Sequence, residues 1–139
     1  MKYLCYCLLL FNACMLNQTE SVRNVVKDFN LGWRGDAVHQ SLYVNIDHTE
    51  YGGIKIVEET VFALGWDQDF IIALQHPNPG SADTVFHIID IRQYSQRFWG
   101  PSENVYTLKN ATNFKRMKQE LGVGDMEIKP VLMEGDLDG

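Results

Sequence analysis

Cysteine is absent from the body of this sequence: Cys5, Cys7 and Cys14 all precede Met15, and nothing after them in the 139 residues carries a thiol. Disulfide staples, cysteine-held metals and thiol nucleophiles are therefore excluded from any domain that begins beyond Cys14. Positive charge is also scarce. Twelve Lys and Arg stand against 18 Asp and Glu, for a formal net charge of -6, which argues against nucleic-acid phosphates or an anionic bilayer surface as the main partner. No apolar run approaches the ~20 residues of a helical membrane span. Motifs of chemistry are missing too: there is no Gly-x-Ser-x-Gly elbow and no glycine-rich phosphate loop. Neither His39, His48, His76 nor His87 has a partner at metal-ligand spacing, so no metal and no cofactor is expected.

What is present is strand-forming sequence. Phe70-Ile71-Ile72-Ala73-Leu74 and Phe86-His87-Ile88-Ile89-Asp90-Ile91 are short β-branched and aromatic runs. They flank a stretch, Gln75 to Thr84, rich in Pro, Gly and short polar residues, where the chain must reverse. The spacing predicts an antiparallel hairpin over about 69–92. With Leu74 opposite Phe86, one face carries Phe70, Ile72, Leu74, Phe86 and Ile88, and the other carries Ile71, Ala73, Ile89 and Ile91. Both faces are apolar, so the hairpin belongs in the middle of a sheet with a layer of strands or a helix against it.

Around it lie further elements. Val22, Val25, Val26 and Phe29 have helical spacing but β-branched character, and fit a short helix or a strand equally. Phe29, Leu31 and Trp33 alternate as a strand does, and so do Leu42, Val44 and Ile46. Ile54 to Leu64 reads as one long β segment leading into the hairpin, with Glu58 and Glu59 on its opposite faces. Val105 to Leu108 is a short strand. Asn110 or Thr112 then caps a helix over about 111–121, with Phe114, Met117 and Leu121 on its buried stripe and Gly122 as its C-terminal stop. Pro130 confines any strand within Met126 to Leu132 to a sheet edge. The expected fold class is α+β: a mainly antiparallel meander with one C-terminal helix packed on it.

The N-terminus differs in kind. Met1-Lys2, the apolar run Tyr3 to Phe11 and the close Leu10-Phe11-Asn12-Ala13-Cys14 resemble a bacterial lipoprotein signal. That resemblance implies cleavage after residue 13 and lipidation of Cys14, with the membrane as a partner through the lipid. An ordinary signal peptidase site near Ala13 is the alternative, and would give a secreted soluble protein. The organisation expected is a leader over 1–13, a lipidated tether over 14–27, one domain over 28–132 and an acidic tail over 133–139.

Gly65-Trp66-Asp67-Gln68-Asp69-Phe70-Ile71-Ile72-Ala73, Phe86-His87-Ile88-Ile89-Asp90, Trp99-Gly100-Pro101 and Phe114 to Val123 follow that leader in order. Together they resemble a group of small bacterial cell-envelope proteins known only as a domain of unknown function, over about residues 28 to 123. The resemblance implies no catalytic residue.

Individual polar residues have structural explanations. His87 reads as a hydrogen-bonded core histidine, and Asp67 and Asp69 as turn caps. The exposed-aromatic candidates are Trp99 with Arg97, and Trp66. They are the residues a protein partner would meet, against the alternative that tryptophans at turns plug the ends of the sheet core. The expectation is a non-enzymatic envelope lipoprotein that binds an envelope or extracellular protein. A secreted inhibitor or immunity-type protein, its acidity suited to a basic hydrolase or toxin, is the alternative.

Overall fold

The computed structural model describes residues 21–33, 39–45, 53–78, 80–95 and 99–131. Within them the chain forms two antiparallel sheets and a C-terminal helix. The first sheet has the order β1 (Ser21–Val26), β2 (Phe29–Trp33), β3 (Ser41–Val44), β4 (Ile54–Val57). The second contains β5 (Val61–Trp66), β6 (Phe70–Gln75), β7 (Val85–Asp90), β8 (Val105–Leu108) and β9 (Lys129–Pro130), in the order β8-β7-β6-β5-β9. A single turn, α1 (Pro101–Asn104), precedes β8, and α2 (Ala111–Glu120) follows it.

The β6–β7 hairpin sits where its two apolar faces require. Leu74 pairs with Phe86 and Ile72 with Ile88, and β6 is the central strand of its sheet. Ile71, Ala73, Ile89 and Ile91 face the first sheet and join Phe29, Leu31, Leu42 and Val44 in the core between the sheets. Phe70, Ile72 and Ile88 face the other way and pack with Phe114, Met117, Leu121 and Val123 from α2 and its exit. The result is a three-layer β/β/α stack.

The ambiguous Val22–Phe29 segment is a strand, β1, inside the span read as tether, and the chain turns back after it at Lys27-Asp28. Its helix-like spacing has a physical cause. The register shifts between Asn24 and Val26, and this bulge brings both Val25 and Val26 to the core. Asn24 holds the reversal, its Nδ2 donating to the Lys27 carbonyl at 2.8 Å.

The Ile54–Leu64 segment is not one strand. It breaks at Glu58 to Thr60, β4 staying in the first sheet and β5 entering the second, so Glu58 and Glu59 lie in the crossover and not on strand faces. Gln40 fastens this corner. Fully buried, its amide Nε2 donates to the carbonyls of Val61 and Val131, while its backbone carbonyl accepts from Val61 N at 3.0 Å.

Asn110 caps α2, its Oδ1 accepting from Thr112 N and Asn113 N at 2.7 and 3.2 Å. The helix ends on Gly122 at φ +74°, with Gly122 N bonded to Gln119 O and Val123 N to Lys118 O. These two bonds define a Schellman stop, with Val123 buried beside it. The chain then returns along β5, where Lys129–Pro130 forms the proline-bearing edge strand.

Candidate functional site

The polar interior is a set of structural hydrogen bonds. His87, buried on β7, has Nε2 2.7 Å from Gln75 Oε1 and Nδ1 3.1 Å from Thr107 Oγ1. Gln75 Nε2 donates in turn to the Glu59 carbonyl at 3.4 Å. With that amide so oriented, Gln75 Oε1 must accept, so His87 donates through Nε2 and its Nδ1 accepts the Thr107 hydroxyl. Burial pushes the His87 pKa down to about 4, which keeps the imidazole neutral and the relay intact near neutral pH.

The other described histidines are engaged separately. His76 stacks on Phe62 at 3.9 Å between ring centroids, with Nδ1 3.0 Å from the Asp83 backbone carbonyl and not its carboxylate. His39 Nδ1 lies 2.7 Å from Glu59 Oε2 in an exposed pair. Among the described residues no three His, Cys, Asp or Glu side chains gather as a metal site would require.

The tryptophans divide. Trp99 is 8% exposed and meets Phe29 and Tyr94 edge-on, at centroid distances of 5.3 and 6.3 Å. It closes the core between the sheets, so the surface-contact role expected for it gives way to the plug. Tyr94, in the same cluster, donates to Asp28 Oδ2 at 2.6 Å. Trp33 is buried as well. Trp66 is not: at the end of β5 it is 42% exposed. Arg97 and Cys14 lie outside the described residues, as do the leader, the start of the tether and the acidic tail.

Trp66 lines a cleft of about 560 Å³. Trp66 ends β5 and Asp67 opens the β5–β6 turn, while Asp125, Met126 and Glu127 come from the segment between α2 and β9, and Lys129 from β9 itself. Local chemistry sets both walls. Asp67 Oδ1 accepts from Asp69 N and Phe70 N at 2.8 Å each, which fixes the turn and with it the strand end that carries Trp66. Across from it, the backbone of Glu127 crosses so close to Gly65 that a Cβ there would lie 2.5 Å from the Glu127 carbonyl oxygen. Glycine is required at 65 for the second wall to approach the first.

Three carboxylates, Asp67, Asp125 and Glu127, thus share the cleft with one ammonium. Lys129 Nζ is 3.9 Å from Glu127 Oε2. Sequence reasoning singled out Trp66 but passed over Asp125 and Glu127, because only the return of the chain after α2 brings them there. The one local signal was a glycine inside a strand, which marks a close backbone approach.

No curated protein and no solved structure matches this chain. A family described as "Protein of unknown function (DUF3997)" matches residues 29–134, from the first residue of β2 to beyond β9. The match spans most of both sheets, the helix and both walls of the Trp66 cleft, and the chain belongs to this family.

Proposed function

We propose that this is a non-enzymatic envelope lipoprotein, tethered through Cys14, whose domain holds a protein partner at the Trp66 cleft. The observation that carries the reading is the contrast between Trp66 and the other aromatic and polar groups. A large indole is left in solvent within a cleft, whereas Trp33 and Trp99 are buried and His39, His76 and His87 have local structural partners. Half-exposed tryptophans beside charged groups are what protein interfaces use as anchors. The leader supports the tether: an apolar run too short to span a bilayer, followed by Ala13-Cys14.

The acidic cleft also favours the second reading, a soluble inhibitor of a basic hydrolase or toxin. One experiment separates them. The intact mass of the protein is measured after detergent extraction from its own cells, beside a Cys14→Ser variant. An acylated chain beginning at Cys14, absent in the variant, supports the envelope module. An unmodified mature chain in the medium removes the tether and moves the inhibitor reading forward, where a stable one-to-one complex should form without lipid.

A further inference from the structure

The cleft has a sign and a shape, and together they narrow its occupant. Its charged side chains are Asp67, Asp125, Glu127 and Lys129, three acids against one base. Asp67 uses one carboxylate oxygen to fix its turn, and among the described residues neither it nor Asp125 has a cationic partner within salt-bridge distance. The Lys129 to Glu127 contact, at 3.9 Å with both side chains well exposed, is a loose solvated pair that a better-fitting cation can replace. Beside these acids stands the exposed indole of Trp66.

We propose that the cleft receives an arginine side chain from an extended basic segment of the partner protein, the guanidinium stacking on Trp66 and bonding to the Asp125 and Glu127 carboxylates. The proposal rests on the protein-binding reading above and names its chemistry. An aromatic face next to carboxylates selects a cation in general. Arginine fits better than lysine, because its planar, weakly hydrated fork can stack and still make paired hydrogen bonds to carboxylates. Gly65 lets the two walls approach, so the indole and the acids line one cleft.

The test uses detergent-extracted protein and a fluorescent peptide alternating arginine with glycine, read by anisotropy. Peptides with lysine or glutamate in place of arginine serve as comparisons. Saturable binding is expected for the arginine peptide, weaker for lysine and absent for glutamate. Trp66→Ala should weaken it about tenfold or more, and so should Asp125→Asn combined with Glu127→Gln. Glu58→Gln combined with Glu103→Gln removes the same charge outside the cleft and should leave binding unchanged. Because Trp66 is 42% exposed, its alanine variant should keep the parent's circular dichroism and melt within a few degrees of it.

No arginine-peptide binding, equal loss in the Glu58 and Glu103 variant, a preference for lysine, or full binding by Trp66→Ala would each overturn the proposal. Co-fractionation in the same extracts tests the parent reading separately. A partner held by the unaltered chain and lost with Trp66→Ala, without arginine-peptide binding, leaves the protein-binding site standing and removes its guanidinium chemistry. If no partner co-fractionates, the protein-binding reading fails whatever the peptide does.

Discussion

His87 makes stability depend on pH in a direction and amount that follow from its surroundings. It lies on β7 at 7% exposure, bonded to Gln75 of β6 and Thr107 of β8, and burial holds its pKa at about 4 against an ordinary 6.5. Above 6.5 neither folded nor unfolded chain binds the proton. Below it the unfolded chain takes up a proton that the folded chain refuses, so stability falls with pH and levels off once the folded pKa is passed. At about 1.36 kcal/mol for each pKa unit, the full difference is roughly 3 kcal/mol, of which about 2 kcal/mol is lost by about pH 5. Asp90 does not intrude in that window, because its hydrogen bonds and ion pair with Arg92 hold its pKa below the usual carboxylate value. The assay is urea unfolding followed by circular dichroism at several pH values between about 5 and 7.5. The unaltered protein is compared with His87→Gln, which keeps a polar side chain but cannot titrate. The other histidines are common to both, so the difference in slope belongs to His87. Equal slopes in the two proteins, or a protein that gains stability as pH falls, would refute the reasoning.

Three further outcomes can be checked by melting and urea unfolding. Trp99→Ala should cost about 3–5 kcal/mol through the cavity it leaves between the sheets, whereas Trp66→Ala should cost under about 1 kcal/mol as a surface change; comparable losses would mean the two tryptophans have been assigned the wrong roles. Gly65→Ala should destabilise by about 1–3 kcal/mol by forcing the Glu127 backbone off β5, with weaker binding at the cleft as the accompanying readout. Gly122→Ala has open space for its Cβ but sits at φ +74°, so it should cost about 1–2 kcal/mol from backbone conformation alone; an unchanged midpoint would contradict that origin.

The hairpin and its central place were legible because both its strands are apolar on both faces and end in a turn no strand can cross; its register, Leu74 opposite Phe86, was not fixed by the pattern, because a one-residue slip exchanges two faces that are equally apolar. The helix was legible because Asn110, the Phe114, Met117 and Leu121 stripe, and Gly122 are local signals that agree. What escaped was anything decided by distant chain. The bulge in β1 converts strand periodicity into apparent helix periodicity, and alternation cannot reveal it. The break at Glu58 to Thr60 arises because Gln40 and the second sheet draw the chain across, while the residue pattern on either side stays continuous. Trp66 and Trp99 both neighbour a glycine, and only the partners of each, solvent for one and Phe29 with Tyr94 for the other, tell anchor from plug.

The order of strands also bears on how the molecule comes into being. Among the described residues, every strand pairing except that of β5 with β9 joins strands adjacent in sequence, so most of the ladder can assemble by local zipping, with little chain to close at each step. The exceptions arrive last. Lys129–Pro130 seals the edge of β5, and the Val131 carbonyl accepts from Gln40, 91 residues earlier. A nascent chain can therefore build nearly all of the described sheets while their closure waits on residues 129–131. Until that stretch is delivered, the corner where the two sheets meet stays unlatched and one edge of the second sheet stays open to other strands.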